Sequence, residues 1–112
     1  MKRIVAVIQP HKLDAVKEAL LGAGVDGITI LDVRGHGRQQ GHTETYRGGE
    51  YKIDFLPKVK LDIVVPDARA KQILDAIAGA ARSGKIGDGK IFVSSIEQAI
   101  RIRTEESGEH AV

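Results

Sequence analysis

The chain has 112 residues, enough for one domain with a single core and a large exposed surface that self-association would reduce. A formal net charge of +2, two Phe, two Tyr and no Trp supply neither the charge nor the stacking platforms of a nucleic-acid binder, and the lack of cysteine excludes disulfides, thiolate metal sites and cysteine nucleophiles. The longest uninterrupted apolar run, Ile4 to Ile8, is too short for a membrane span or the core of a secretory signal, so a cytoplasmic location without membrane insertion is expected.

Lys2 to Gln9 contains Ile4-Val5-Ala6-Val7-Ile8, a β-rich run bounded by Pro10 that suits a central strand buried on both faces. Leu13, Val16, Leu20 and Ala23 recur at helical spacing and predict a helix from Leu13, with Gly22 and Gly24 to stop it. Ile28 to Arg34 reads as a second strand. From Gly35 to Asp54 neither period is present, and a stretch of about twenty such residues in a compact domain marks a loop with a task. Val59, Leu61, Ile63 and Val65 alternate with Lys58, Lys60 and Asp62 in an amphipathic strand ended by Pro66. Asp67 is placed to cap a second helix, the stripe Ala70, Ile73, Leu74, Ile77 and Ala80 can be buried, and Ser83-Gly84 can end it. Ile91-Phe92-Val93 gives a fourth strand. Ile100 and Ile102 alternating with Arg101 and Arg103 predict a short further strand, before a solvated, mobile tail over residues 105–112. Strand, helix, strand, long loop, strand, helix, strand is the order of an α+β, ferredoxin-like βαββαβ sandwich, and residues 1–112 form one domain of this kind. The architecture hosts many activities, so the site must decide the function.

The segment Gly84-Lys85-Ile86-Gly87-Asp88-Gly89-Lys90, within a loop over about residues 82–90, nearly repeats the phosphate loop of P-loop NTPases. Two features break the match. Ile91 stands where that motif needs a hydroxyl for magnesium, and the segment runs from a helix into a strand, the reverse of the required context. The ingredients for anion binding remain, since Gly84, Gly87 and Gly89 free the backbone to turn N–H groups toward an anion and Lys85 and Lys90 supply charge. A flexible connection with solvated lysines is the competing reading. Alternation places Arg101 and Arg103 on one side of the predicted last strand, where two guanidiniums suit a polyphosphate, or else a solvated strand face. Gly35-His36-Gly37-Arg38-Gln39-Gln40-Gly41 fails as a dinucleotide fingerprint, because its third glycine is displaced and no apolar helix follows. A lid offering backbone amides, Arg38 and Gln39 to a ligand fits better. His36 and His42 lack the partners that would complete a metal site.

Ser83-Gly84-Lys85-Ile86-Gly87-Asp88-Gly89-Lys90-Ile91-Phe92-Val93 follows the second signature of the PII family of nitrogen-regulatory signal-transduction proteins, and Tyr46-Arg47-Gly48-Gly49-Glu50-Tyr51 nearly follows its first. Gly35 to Thr43, Asp54 to Lys60 and Ile100-Arg101-Ile102-Arg103-Thr104 match family motifs as well, so the chain resembles this family over nearly its whole length. The resemblance implies a homotrimer of ferredoxin-like subunits, with ATP or ADP bound in the clefts between neighbours. It also implies a long effector loop protruding between strands 2 and 3, over about residues 37–55. By the same resemblance Gly87, Gly89, Lys90, Arg101 and Arg103 hold phosphates with Arg38 nearby, while Thr29, Gly35 and Val64 surround the nucleoside. Gln39 would complete the coordination of a magnesium ion shared by ATP and 2-oxoglutarate, whose far carboxylate would pair with Lys58. Magnesium bound largely through ligand oxygens accounts for the hydroxyl missing at Ile91.

The function so implied is that of a non-enzymatic sensor of nitrogen, carbon and energy status, in which effectors shift the loop among conformations that suit different partners. An ammonium transporter, a nucleotidylyltransferase and biosynthetic enzymes are family targets. Tyr51 matches the tyrosine that relatives have uridylylated or adenylylated. Three departures stand out: His36 where relatives carry an aromatic residue, Gly49 in place of alanine or serine, and Ser83 in place of threonine. Two other classes compete. A small ATPase or phosphotransferase would need a placed nucleophile or water-orienting group that no Asp or Glu pattern here supplies. An RNA-binding ferredoxin-like module would need stacking aromatics, and Phe92 is alone in its candidate strand.

Overall fold

The computed structural model describes residues 1–36, 44–45, 51–52 and 55–112, with the side chains of 44–45 and 51–52 left aside. Strand β1 (Lys2–Ile8) is central and buries Ile4, Ala6 and Ile8 along one face. Pro10 opens a 3₁₀ turn that leads into helix α1 (Leu13–Gly22), where Val16 and Leu20, four residues apart, form the buried stripe. The helix ends as a Schellman motif. The Val25 N–H donates to the Leu20 carbonyl at 2.9 Å and the Gly24 N–H to that of Leu21 at 3.0 Å, with Gly24 at φ 85° and Val25 buried beyond it. Gly24 supplies the expected stop, whereas Gly22 is the last helical residue.

Strand β2 (Thr29–Gly35) follows, and two short pieces, β3 (Glu44–Thr45) and β4 (Tyr51–Lys52), pair antiparallel with each other. Strand β5 (Leu56–Val65), helix α2 (Asp67–Ala81) and strand β6 (Gly89–Ser95) complete the main fold. The four long strands form one antiparallel sheet in the order β2-β5-β1-β6. This is the α+β arrangement expected, with β1 and β5 in the middle. Register brings Ala6 opposite Leu61 and Ile91, and Ile4 opposite Ile63. Their side chains meet Val16, Leu20, Ile73 and Ile77 of the two helices in a single core. Each such fully buried aliphatic side chain contributes about 1.5–3 kcal/mol relative to exposure, which makes this layer the main source of stability.

Three local expectations are corrected. Within one chain β1 is covered on one face only; Val5 and Val7, on the other, are half-buried. Asp67 is the first residue of α2 rather than its cap, and its carboxylate pairs at 2.8 Å with the amino group of Met1, which pulls its pKa down. Residues 100–103 form no strand. Ile100 makes an isolated bridge to Ser107, and the Glu105 N–H closes a turn onto the Arg101 carbonyl at 2.8 Å. A 3₁₀ turn (Gly108–Ala111) ends the chain.

The sheet face away from the helices carries Val5, Val7, Leu31, Val33, Val64 and Phe92 by register. Leu31 is 44 % exposed and Phe92 57 %. Arg3 and Asp62 form a two-pronged ion pair on this face, at 2.9 and 2.5 Å. No helix among the described residues is long and apolar enough to cross a membrane. The expected protruding loop falls largely on residues outside those described.

Candidate functional site

The connection from α2 to β6 is a ring closed by one carboxylate. Asp88 Oδ2 accepts the N–H of Ser83 at 2.8 Å and of Gly84 at 2.9 Å, and the Ser83 hydroxyl donates to Oδ1 at 2.5 Å. Ser83 Oγ accepts the Lys85 N–H at 3.2 Å. The Ser83 hydroxyl, and then the backbone donors, hold the Asp88 carboxyl below the ordinary carboxylate range. The next N–H groups, of Ile86 and Gly87, donate to no protein acceptor among the described residues, while residues 86–87 form a turn that directs the Asp88 N–H back toward Lys85. Gly87 and Gly89 have φ of 101° and 108°, which side chains disfavour. At Gly89 a Cβ would also lie 1.8 Å from the Val7 carbonyl oxygen, so the start of β6 against β1 requires glycine.

This ring is one wall of a concave site of about 730 Å³, also lined by Val7, Gly35, His36, Lys58 and Lys90. Lys58 comes from β5 and is buried, yet its ammonium donates to the Gly87 carbonyl at 3.0 Å. Burial pushes its pKa down, partly opposed by the charge of Asp88. The His36 ring stands edge-on to Phe55 with centroids 6.2 Å apart. Free backbone donors beside lysine side chains, on a loop closed by its own hydrogen bonds, form a cradle that suits an anion.

A second concave site of about 650 Å³ is lined by Gly27, Thr29, Asp62, Val64, Arg69 and Arg101, with Ala111 and Val112 of the C-terminal turn at its edge. Arg69 is anchored through the Ala23 carbonyl, and Arg101 lies 3.6 Å from Glu106. The candidate residues therefore sort into two groups. Gly35, Lys58, Gly87, Gly89 and Lys90 line the first site; Thr29, Val64 and Arg101 line the second. Arg103 is exposed and lines neither, because the strand that would have aligned it with Arg101 is a turn. Arg38, Gln39 and the Tyr51 side chain lie outside the described residues.

The sequence profile of the family described as nitrogen regulatory protein P-II matches residues 1–106. The chain belongs to the P-II family. Over all 112 residues of both proteins it is 63 % identical to a nitrogen regulatory protein P-II of Rhodobacter capsulatus. It is 60 % identical to one from Haemophilus influenzae and 57 % to one from Rhizobium meliloti, again end to end. The PII resemblance read from the two signatures is thus upheld, and the chain is a nitrogen-regulatory protein rather than an enzyme.

Sequence reasoning missed Asp88 as the residue closing the loop between α2 and β6. The signal was an Asp five residues after a Ser at a helix end, a pairing in which a carboxylate can gather the freed N–H groups. Asp62 and Arg69 of the second site were missed because tertiary pairing, not local pattern, brings them there.

Proposed function

We propose that the chain is a homotrimeric sensor that binds ATP or ADP in the clefts between subunits and reads 2-oxoglutarate together with magnesium. The observation that carries this reading is the division of the candidate residues between two concave sites on one chain. A cradle of free amides with Lys90 suits phosphates, while Thr29 and Val64 suit a nucleoside with Arg101 reaching toward its phosphates. Each group is half a nucleotide site, and neighbouring copies would supply the complementary halves. The uncovered sheet face, with Leu31 and Phe92 exposed beside half-buried valines, is an apolar surface of the kind that homo-oligomers bury.

The residues present fit these ligands. Among the described residues no cluster of acidic or histidine side chains could hold a metal, so magnesium would be held through ligand oxygens with Gln39 as the protein donor. Lys58 would pair with the far carboxylate of 2-oxoglutarate, Arg38 and Arg103 would approach the phosphates, and Gly35 would face the nucleoside. Ligand occupancy would bias the loop over about residues 37–55 among conformations and so select partners, such as an ammonium transporter, a nucleotidylyltransferase or biosynthetic enzymes. Tyr51 on that loop is the proposed point of nucleotidylylation. Intact mass after nitrogen-limited growth would show the added nucleotide, and an unmodified mass throughout would remove it.

Calorimetry of 2-oxoglutarate with and without Mg-ATP tests the shared site. Binding is expected only with Mg-ATP and is expected to be lost in Gln39→Ala and Lys58→Ala; ATP-independent binding would refute the arrangement.

A further inference from the structure

A carboxylate is a strange neighbour for an anion cradle, since a negative charge close to phosphates opposes their binding. Asp88 nonetheless sits half-buried within the loop, and its hydrogen-bond partners among the described residues are all loop donors: Ser83 N–H, Ser83 Oγ–H and Gly84 N–H. With the Lys85 N–H turned onto Ser83 Oγ, the amides of residues 83–85 are consumed inside the ring. The amides of Ile86 and Gly87 are left over among the described residues. One side chain thereby divides the loop's N–H groups into a set that holds the loop and a set available to a ligand. Lys58 clamps the opposite side through the Gly87 carbonyl at 3.0 Å.

We propose that Asp88, acting through Ser83 and Gly84, is the positioning residue of the phosphate loop: it presets the free amides of Ile86 and Gly87 and touches neither nucleotide nor metal. The inference rests on the nucleotide reading given above. Its physical content is preorganisation. A loop already folded forfeits little backbone freedom when phosphates arrive, whereas a glycine-rich loop without its closure must be ordered by the ligand. The donors gathered on Asp88 neutralise part of its charge, which reduces the repulsion that its position would otherwise cause.

The test is ATP affinity by calorimetry on the full chain, with Lys90→Ala as the reference for the site itself. Asp88→Ala is expected to weaken ATP binding by on the order of tenfold, the loss of charge-assisted hydrogen bonds. Asp88→Asn keeps an oxygen for both backbone N–H groups and can donate to Ser83 Oγ, so it is expected to stay within about threefold of the parent. Ser83→Ala should weaken binding by an intermediate factor, and Ser83→Thr should not. Rescue by Asn separates positioning from contact, because a carboxylate that touched the nucleotide or its metal would lose as much in Asn as in Ala. Equal loss in both variants overturns the proposal, as does tighter binding in both, which would make Asp88 a repulsive group only. Should Asp88→Ala fail to fold, the contrast of Asp88→Asn with Ser83→Ala decides the matter, and an unaffected Ser83→Ala overturns it. Loss of affinity in Lys90→Ala with none in Asp88→Ala sinks the positioning role and leaves the nucleotide site standing. No ATP binding by the parent chain sinks both.

Discussion

The two faces of the sheet obey different rules. Toward the helices, Ile4, Ala6, Leu61 and Ile63 are closed over by Ile73 and Ile77, and the layer is complete within one chain. On the other face apolar residues share space with the Arg3–Asp62 pair, Lys58 and Lys60, and two concave sites open from its margins. The first face has no chemistry to perform and is packed to exclude water. The second is left unfinished, and in a single chain its apolar side chains lose part of their possible stabilisation to solvent. A chain of this size gains from completing such a face with copies of itself. The lesson is that stability and function are separated by a single layer of backbone, so substitutions two residues apart on a strand share a fate and adjacent ones do not.

The largest effect should come from the closed face. Ile77→Ala removes a fully buried side chain and is expected to cost about 2–5 kcal/mol, read by urea unfolding at fixed protein concentration. A loss of a few tenths would mean that the helix layer is not the main core, and the contrast between faces would collapse. Next comes the open face. Phe92→Asp places a charge where the proposed subunit contact lies, and it is expected to convert a trimer to a monomer by sedimentation while far-ultraviolet circular dichroism stays unchanged. A trimer that persists would remove this face from the interface and sharpen the search for another.

Sequence legibility followed the same division. Periodicity found β1, α1 and α2 because their apolar stripes face a core within the chain, where local pattern and tertiary packing agree. It failed at Ile100 to Arg103, where alternation was real but no partner strand was available, and Ile102 is 95 % exposed. It also truncated β5 and β6, whose lengths are set by pairing: Leu56 and Pro57 join β5 through β2, and Ser94 and Ser95 join β6 through β1. Asp67 resembled a cap because a cap is a local device, while its partner, the Met1 amino group, is remote in sequence. In the loop between α2 and β6, glycine marked Gly87 and Gly89 because positive φ demands it. Asp88 was hidden because its role exists only once the loop has closed. The residues of the two concave sites were legible as residue types, and their separation on one chain was visible only in three dimensions.

The smallest effect concerns the Arg3–Asp62 pair, and acid is the way to reach it. Arg3 lowers the Asp62 pKa chiefly through the hydrogen bonds between them, with burial opposing and the charges of Arg3 and Lys60 assisting. A carboxyl whose folded-state pKa lies below its ordinary 3.8 contributes stability that is fully present above that value and is lost as pH falls through the lower folded-state value. Asp67 and Asp88 are depressed in the same direction, so all three should contribute to one acid transition below about pH 4. Arg3→Met should remove the part that belongs to the open face. At neutral pH the effect should be small, because the pair remains partly solvated, but the acid limb of the urea midpoint against pH should become shallower. Salt separates the contributions further, since it screens a solvent-exposed carboxylate such as Asp67 more than a partly buried one such as Asp62. An acid limb unchanged by Arg3→Met would mean that Asp62 meets the same environment folded and unfolded. The open face would then owe its integrity to its apolar residues alone, and assembly, rather than ion pairing, would be what holds its margins in place.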